Sequence, residues 1–215
     1  MRIDRWPRVV AAVALLFASL GAGAQALLDE LVQAVANDRA DAVKALLARG
    51  MDPDSVDAKG DPLLCLAARN GATRAAQVLL AGKANPNKPN RYGDTPLMLA
   101  ALKGSLDMVR ALLSGGAAVN TRGWTPLIYA ATGGHDDVVT FLLQHGADID
   151  AASPNGTTAL MMAVREHHPE TARLLMGRGA DIHRRNQDGA SALAWAKRAD
   201  EEDLAKELRR AGAKE

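Results

Sequence analysis

One spacing recurs along most of the chain and limits what it can fold into. Apolar positions repeat every 33 residues, with one shorter interval of 30, as in Leu46, Leu79, Leu112, Leu142, Leu175 and Leu208. Turn glycines keep the same register at Gly60, Gly93, Gly123, Gly156 and Gly189. A repeat of this length cannot bury its apolar face alone, so neighbouring units must stack into a solenoid. The predicted units are approximately 27–50, 51–83, 84–116, 117–146, 147–179 and 180–215.

Each period contains the signals of two short helices. In the fourth unit, Thr125 is placed to N-cap a helix that begins at Pro126, where the missing N–H is not needed. Gly133 ends that helix. A second helix turns Leu142 inward and stops at Gly146, in the left-handed conformation that glycine tolerates. An extended connection, called a finger below, leads to the next unit, so the pattern predicts an all-α fold.

The segments GDTPLMLAALKG and GWTPLIYAATGGHDDVVTFLLQHGADID resemble the ankyrin repeat. The resemblance covers the chain from about Leu27 to its C-terminus and implies an all-α solenoid of about six helix-turn-helix units joined by β-hairpin-like fingers. The histidine that the family usually places after TPL is absent, and apolar residues fill the position: Cys65, Met98, Ile128 and Met161. Cys65 is the only cysteine, and its apolar neighbours predict a buried side chain.

The first residues have the features of an export signal. A cationic start precedes an apolar run, Val9 to Leu20, that is too short to span a bilayer comfortably. Small residues follow and offer cleavage sites after Ala24 or Ala26. We therefore expect residues 1–24 to be a cleaved signal peptide, residues 25–215 to form the ankyrin repeat domain, and the mature protein to be periplasmic or secreted without a membrane span.

The stretch REHHPE, Arg165 to Glu170, contains the side chains of metal and acid–base sites. In the repeat register it is the turn between two helices, and His168 is equivalent to His135 of the preceding unit. A zinc site between these histidines would need ring nitrogens about 2 Å from one metal and further ligands. We therefore expect no enzyme, metal or cofactor. A metal-dependent hydrolase is the least favoured alternative.

The resemblance implies that a protein partner binds the fingertips and the inner helices, which face the concave side of the solenoid. The expected contact residues are Lys59, Arg69, Arg91, Tyr92, Leu102, Lys103, Arg122, Trp124, Arg165 and Arg198. Asp61, after the first turn glycine, is expected to be exposed on the same face. An aromatic patch with nearby arginines is typical of interface hot spots, although Trp124 could equally be a packing residue.

Charge and spacing refine this prediction. The chain has a net charge of +1, too balanced for a nucleic-acid or membrane-surface protein on composition alone. Its basic residues nevertheless form a row at equivalent positions, Arg69, Lys103, Arg165 and Arg198, which favours an acidic partner surface. Only Thr121 and Arg122 stand between Asn120 and Gly123, so we expect a short third finger and a gap flanked by Tyr92 and Trp124, with Leu102 and Lys103 as its floor.

These observations lead us to expect a monomeric, non-catalytic module that is exported and binds a protein. Two more specific roles stay open. One is an immunity-type protein that neutralises a toxin acting in the periplasm. The other is an accessory protein of an envelope or oxidative-stress system.

Overall fold

The computed structural model describes residues 23–214, and its helices follow one another in pairs. The predicted signal peptide, residues 1–24, lies outside the described residues except for its last two. The first pairs are α1 over residues 23–36 with α2 (Ala40–Ala48), α3 (Leu63–Asn70) with α4 (Thr73–Ala81), and α5 (Pro96–Leu102) with α6 (Leu106–Ser114). The later pairs are α7 (Pro126–Thr132) with α8 (Asp136–Gln144), α9 (Ala159–Arg165) with α10 (Pro169–Gly177), and α11 (Ala192–Arg198) with α12 (Glu202–Arg210).

The helices form two stacked rows, which confirms the predicted all-α solenoid. The inner helices α3, α5, α7, α9 and α11 pack on one another in order, and the outer helices α2, α4, α6, α8 and α10 do the same. Each leucine of the 33-residue column is buried at the interface of these rows. Alanines at equivalent inner-helix positions, such as Ala100 and Ala130, are fully buried and let the helices approach closely. Each buried leucine contributes about 1.5–3 kcal/mol to stability.

Most inner helices begin at a hydroxyl side chain, as predicted for Thr125. The hydroxyl oxygens of Thr95, Thr125, Thr158 and Ser191 each accept a hydrogen bond from the backbone N–H three residues further on. Pro62 stands at this position before α3 and has no side-chain acceptor to offer.

The fingers connect the pairs and are hairpin-like where their two arms meet. Antiparallel bridges join Val56 to Pro62 and Ala152 to Thr158, on either side of a turn glycine with positive φ. The third finger instead lies against the fourth. Gly123 is so close to Pro154 that a Cβ atom added to Gly123 would be 3.3 Å from Cγ of Pro154. Neighbouring fingers therefore support one another along one edge of the solenoid.

The turn between the two helices of each pair contains one residue in the left-handed conformation. These residues are Asp38, Gly71, Gly104, Gly134, His167 and Asp200. The stretch REHHPE is one of these turns, with His167 in the place that glycine takes in three other units. The space around each turn glycine depends on the N-cap residue of the second helix in the next unit. His135 lies against Gly104 and His168 lies against Gly134, whereas no atom lies within 4 Å of a Cβ added to Gly71.

Candidate functional site

Three predicted contact residues are large apolar side chains that are exposed, and Val56 of the first finger is the fourth such side chain among the described residues. The exposed fraction is 71% for Tyr92, 38% for Trp124 and 39% for Leu102. Tyr92 and Trp124 belong to the second and third fingers, whereas Leu102 ends the inner helix α5. We call these three residues the aromatic patch. A partner could bury this exposed apolar surface, which makes the three residues candidates for a binding role.

Trp124 packs against Tyr129, which was not among the predicted contact residues. Its ring meets the ring of Tyr129 edge to face, with the centroids 6.2 Å apart and an interplanar angle of 89°. The hydroxyl of Tyr129 donates a hydrogen bond to the carboxylate of Asp94, which also accepts one from Asn90 Nδ2 at 3.2 Å. Burial and the neighbouring Asp94 carboxylate raise the pKa of Tyr129, so this hydroxyl keeps its proton and stays a donor. Trp124 is therefore both a contact surface and partly a packing residue.

The rim of the patch is basic. The guanidinium carbon of Arg91 lies 4.9 Å from the centroid of the Tyr92 ring, a cation–π contact. Lys59, Lys103 and Arg122, predicted with it as contact residues, are also exposed. All four side chains are therefore accessible to a partner.

The prediction that Asp61 is exposed was wrong. Asp61 is fully buried, since the chain turns into α3 immediately after it and its N–H donates to Asp57 Oδ1 at 3.0 Å. Its Oδ2 lies 2.8 Å from Nη1 of Arg69, although the geometry is that of an ion pair without a directed hydrogen bond. Arg69 is therefore engaged inside the molecule, because a buried carboxylate requires a neutralising partner.

Arg165 and Arg198 lie towards the C-terminal end of the concave face and share an open cleft of about 440 Å³. Its other lining residues include Asn155, His167, Asp188 and Trp195. We call this space the Trp195 cleft. The predicted basic row is thus divided between an internal ion pair at Arg69, an exposed side chain at Lys103 and two arginines around one cleft. Trp195, like Tyr129, was not selected from the sequence, although both stand at the same position of their repeats.

His135 and His168 hold neighbouring units together. Nε2 of His135 lies 2.9 Å from the carbonyl oxygen of Leu102, and Nε2 of His168 lies 3.0 Å from that of Thr132. Each ring therefore reaches the end of the preceding inner helix. Between residues 23 and 214, no group of three or more His, Cys, Asp or Glu side chains is arranged to hold a metal ion.

Cys65 is buried, as predicted, and lies with its Sγ atom 3.6 Å from the carbonyl oxygen of Lys88. Burial, with a smaller contribution from the charge of Asp61, raises the pKa of Cys65 to about 12. The thiol stays protonated at neutral pH. Because the thiolate is the nucleophilic form, Cys65 is poorly suited to covalent catalysis.

Stacked helix pairs with an accessible concave face define a class of repeat protein whose surface serves protein–protein interaction. A family model described as ankyrin repeats (3 copies) matches residues 31–122, 116–186 and 152–214. The chain therefore belongs to the ankyrin repeat family, whose members are generally non-catalytic interaction modules. No curated protein matches it. None of the helices in the described part of the chain has the length and apolar character that crossing a membrane requires.

Proposed function

We propose that this protein is an exported, monomeric, non-catalytic module that binds a protein partner through its concave face. The observation that carries the proposal is the aromatic patch: Tyr92, Leu102 and Trp124 are three of the four large apolar side chains that are exposed among the described residues. Tyrosine, tryptophan and arginine are the residues enriched in interface hot spots. The patch has the first two, and Arg91 supplies the third at its rim.

The support beneath the patch favours binding over accidental exposure. Tyr129 contacts Trp124 from below and is itself fixed by Asp94 of the preceding finger. A side chain that is held before the partner arrives loses less conformational entropy on binding. Trp124 is therefore held in the way that a preformed binding site needs.

Removing the two aromatic side chains should abolish partner binding. Truncated hot-spot residues each weaken binding by about 2 kcal/mol or more, so the double variant Tyr92→Ala/Trp124→Ala should no longer capture a partner from periplasmic extract. The free energy of unfolding should also fall, because Trp124 loses its ring–ring contact with Tyr129, worth about 0.5–1.5 kcal/mol, and the apolar area that it buries, but the protein should stay folded with one cooperative transition. Affinity capture with mass spectrometry and a thermal melt measure the two effects.

The matched control changes two exposed residues on the outer helices, Gln77→Ala and Gln144→Ala, and should leave capture intact. A double variant that unfolds would identify Trp124 as a packing residue. One that folds and still captures the partner would show that the binding site lies elsewhere.

We further propose export through cleavage of the N-terminal segment, which the cationic start, apolar run and small-residue sites of the sequence support. Intact-mass analysis of the periplasmic fraction should give a chain that starts at Gln25, or at Leu27 if the second site is used. A full-length product that stays in the cytosol would overturn this part of the proposal while leaving the binding site untouched.

A further inference from the structure

The Trp195 cleft differs from the aromatic patch in its chemistry. It lies between the fingertips of Asn155 and Asp188 on one side and the inner-helix residues Arg165, Trp195 and Arg198 on the other. Its volume of about 440 Å³ is enough for one or two amino-acid side chains. The cleft combines an aromatic ring with two guanidinium groups.

The two guanidinium groups keep donors available. The Nε atom of Arg165 lies 3.4 Å from Oε1 of Glu166, and the guanidinium carbon lies 5.9 Å from the centroid of the Trp195 ring. Arg165 has no hydrogen-bonded side-chain partner among residues 23–214, so its guanidinium N–H groups are available as donors. Arg198 has no ion pair or hydrogen-bonded side-chain partner among residues 23–214. Unmatched guanidinium donors in a cleft suit a carboxylate, which can accept two parallel hydrogen bonds.

The finger side of the cleft is held in place by hydrogen bonds. The N–H of Gln187 donates to the carbonyl oxygen of Asn155 at 2.8 Å and so joins the two fingers. The side-chain oxygen of the buried Asn186 accepts from the N–H groups of Asp188 and Ala190, at 3.1 and 2.9 Å. The cleft is therefore largely formed before a ligand enters it.

The remaining charges restrict where an anion can sit. Asp188 lies on the finger side, where its charge repels a carboxylate. His167 already has an acidic partner, because its Nδ1 atom lies 3.1 Å from Oε1 of Glu201. A bound carboxylate must then lie on the inner-helix side, between Arg165 and Arg198. The ring of Trp195 is left for an apolar group next to it.

We propose that the Trp195 cleft binds an acidic side chain followed by an apolar one, from an extended segment of the partner protein. The inference rests on the proposed function, since it assumes that the concave face binds protein. It adds the chemistry of the segment: a glutamate or aspartate for the two arginines and an aliphatic side chain for Trp195.

The first test is a titration of the full-length protein followed by the indole N–H resonance of Trp195 in a nitrogen–proton NMR spectrum, assigned with Trp195→Phe. The probe is an acetylated and amidated pentapeptide, Gly-Glu-Leu-Glu-Gly. Its neutral counterpart, Gly-Gln-Leu-Gln-Gly, and inorganic phosphate at the same concentration are the controls. We expect the acidic peptide alone to shift the resonance in a saturable way. No shift, an equal shift by the neutral peptide or an equal shift by phosphate would overturn the proposal.

Three single variants give the second test. Arg198→Gln should weaken binding of the acidic peptide about tenfold or more, as expected for loss of a charged hydrogen-bond donor. Asp188→Asn should strengthen it about two- to fivefold by removing an exposed like charge. Lys44→Gln, a basic change at an exposed position of α2 outside the cleft, should have no effect. If Asp188→Asn weakens binding, the carboxylate does not sit where we place it.

The outcome is separable from that of the proposed function. Tyr92→Ala/Trp124→Ala should leave the peptide titration unchanged, because neither residue lines the cleft. Partner capture that depends on the aromatic patch but survives Arg198→Gln would contradict the cleft assignment alone. A normal titration with no captured partner would contradict only the proposed function.

Discussion

Replacing Gly134 with alanine should lower the free energy of unfolding by about 2–4 kcal/mol, through two separate effects. Gly134 has a φ of +69°, which is strained for any residue with a Cβ atom. The added Cβ would also lie 2.5 Å from Nδ1 of His168, well inside van der Waals contact. The backbone strain arises at Gly134 itself, whereas the steric clash arises with His168 of the next unit.

His168 cannot easily move aside. Its Nε2 atom lies 3.0 Å from the carbonyl oxygen of Thr132, so a displaced ring would lose this contact between units. Overpacking of a constrained site typically costs about 1–3 kcal/mol. The histidine and the glycine therefore form one interlocking contact across the repeat boundary.

Gly71 provides the matched control. It occupies the equivalent turn with a φ of +73°, but no atom lies within 4 Å of an added Cβ, and Ser105 stands where other units have histidine. Gly71→Ala should therefore show the backbone effect alone. We expect a net loss of about 1 kcal/mol, because alanine lowers the conformational entropy of the unfolded chain and this partly offsets the strain.

Chemical denaturation of the single variants and of Gly134→Ala/His168→Ala separates the two effects. The double variant should be less destabilised than the sum of its single changes, because the clash is then absent. Equal losses in Gly71→Ala and Gly134→Ala would show that the histidine contact contributes nothing.

Leu142→Ala should destabilise the protein by about 2–5 kcal/mol, by leaving a cavity in the core. Leu142 is fully buried in α8, which packs on α7 and has an outer helix on each side, α6 and α10. Neighbours on both sides cannot collapse into the space without disturbing their own contacts. Thermal denaturation measures the loss directly.

Leu208→Ala is the matched comparison at the end of the solenoid. Leu208 is equally buried, but α12 belongs to the last helix pair and can open without the others. We expect a smaller loss of global stability, together with faster amide exchange confined to α11 and α12. Equal global losses at the two positions would contradict a stack of units that depend on their neighbours.

The repeat register predicted part of the site because it aligns equivalent positions. It selected Tyr92, Leu102 and Trp124, which the structure leaves exposed on the concave face. The register did not predict a role for Tyr129, because residues of the TPLIY segment are expected to pack in the core. The aromatic character of that residue, unusual in a chain with 3% aromatic residues, was the available signal.

Trp195 was missed for the same reason, although it stands at the position of Tyr129 in the last unit. The cleft beside it depends on two fingers and two inner helices brought together by stacking. A cleft formed between two repeats cannot be predicted from the residues of one repeat alone.

The sequence by itself determined the helix pairs, the turns and the order of the units, because these depend on local signals repeated at a fixed interval. Hydroxyl N-caps, turn glycines and a buried leucine column act within a few residues of one another, so their spacing is sufficient to predict them. Only the tertiary structure decided which of the predicted contact residues are exposed. The register predicted that Asp61 and Arg69 are both exposed on the concave face. In the structure Asp61 is buried and Arg69 neutralises it, because burying an unpaired carboxylate costs too much free energy. Arg165 and Arg198 line one cleft with Trp195 because stacking brings the inner helices α9 and α11 together.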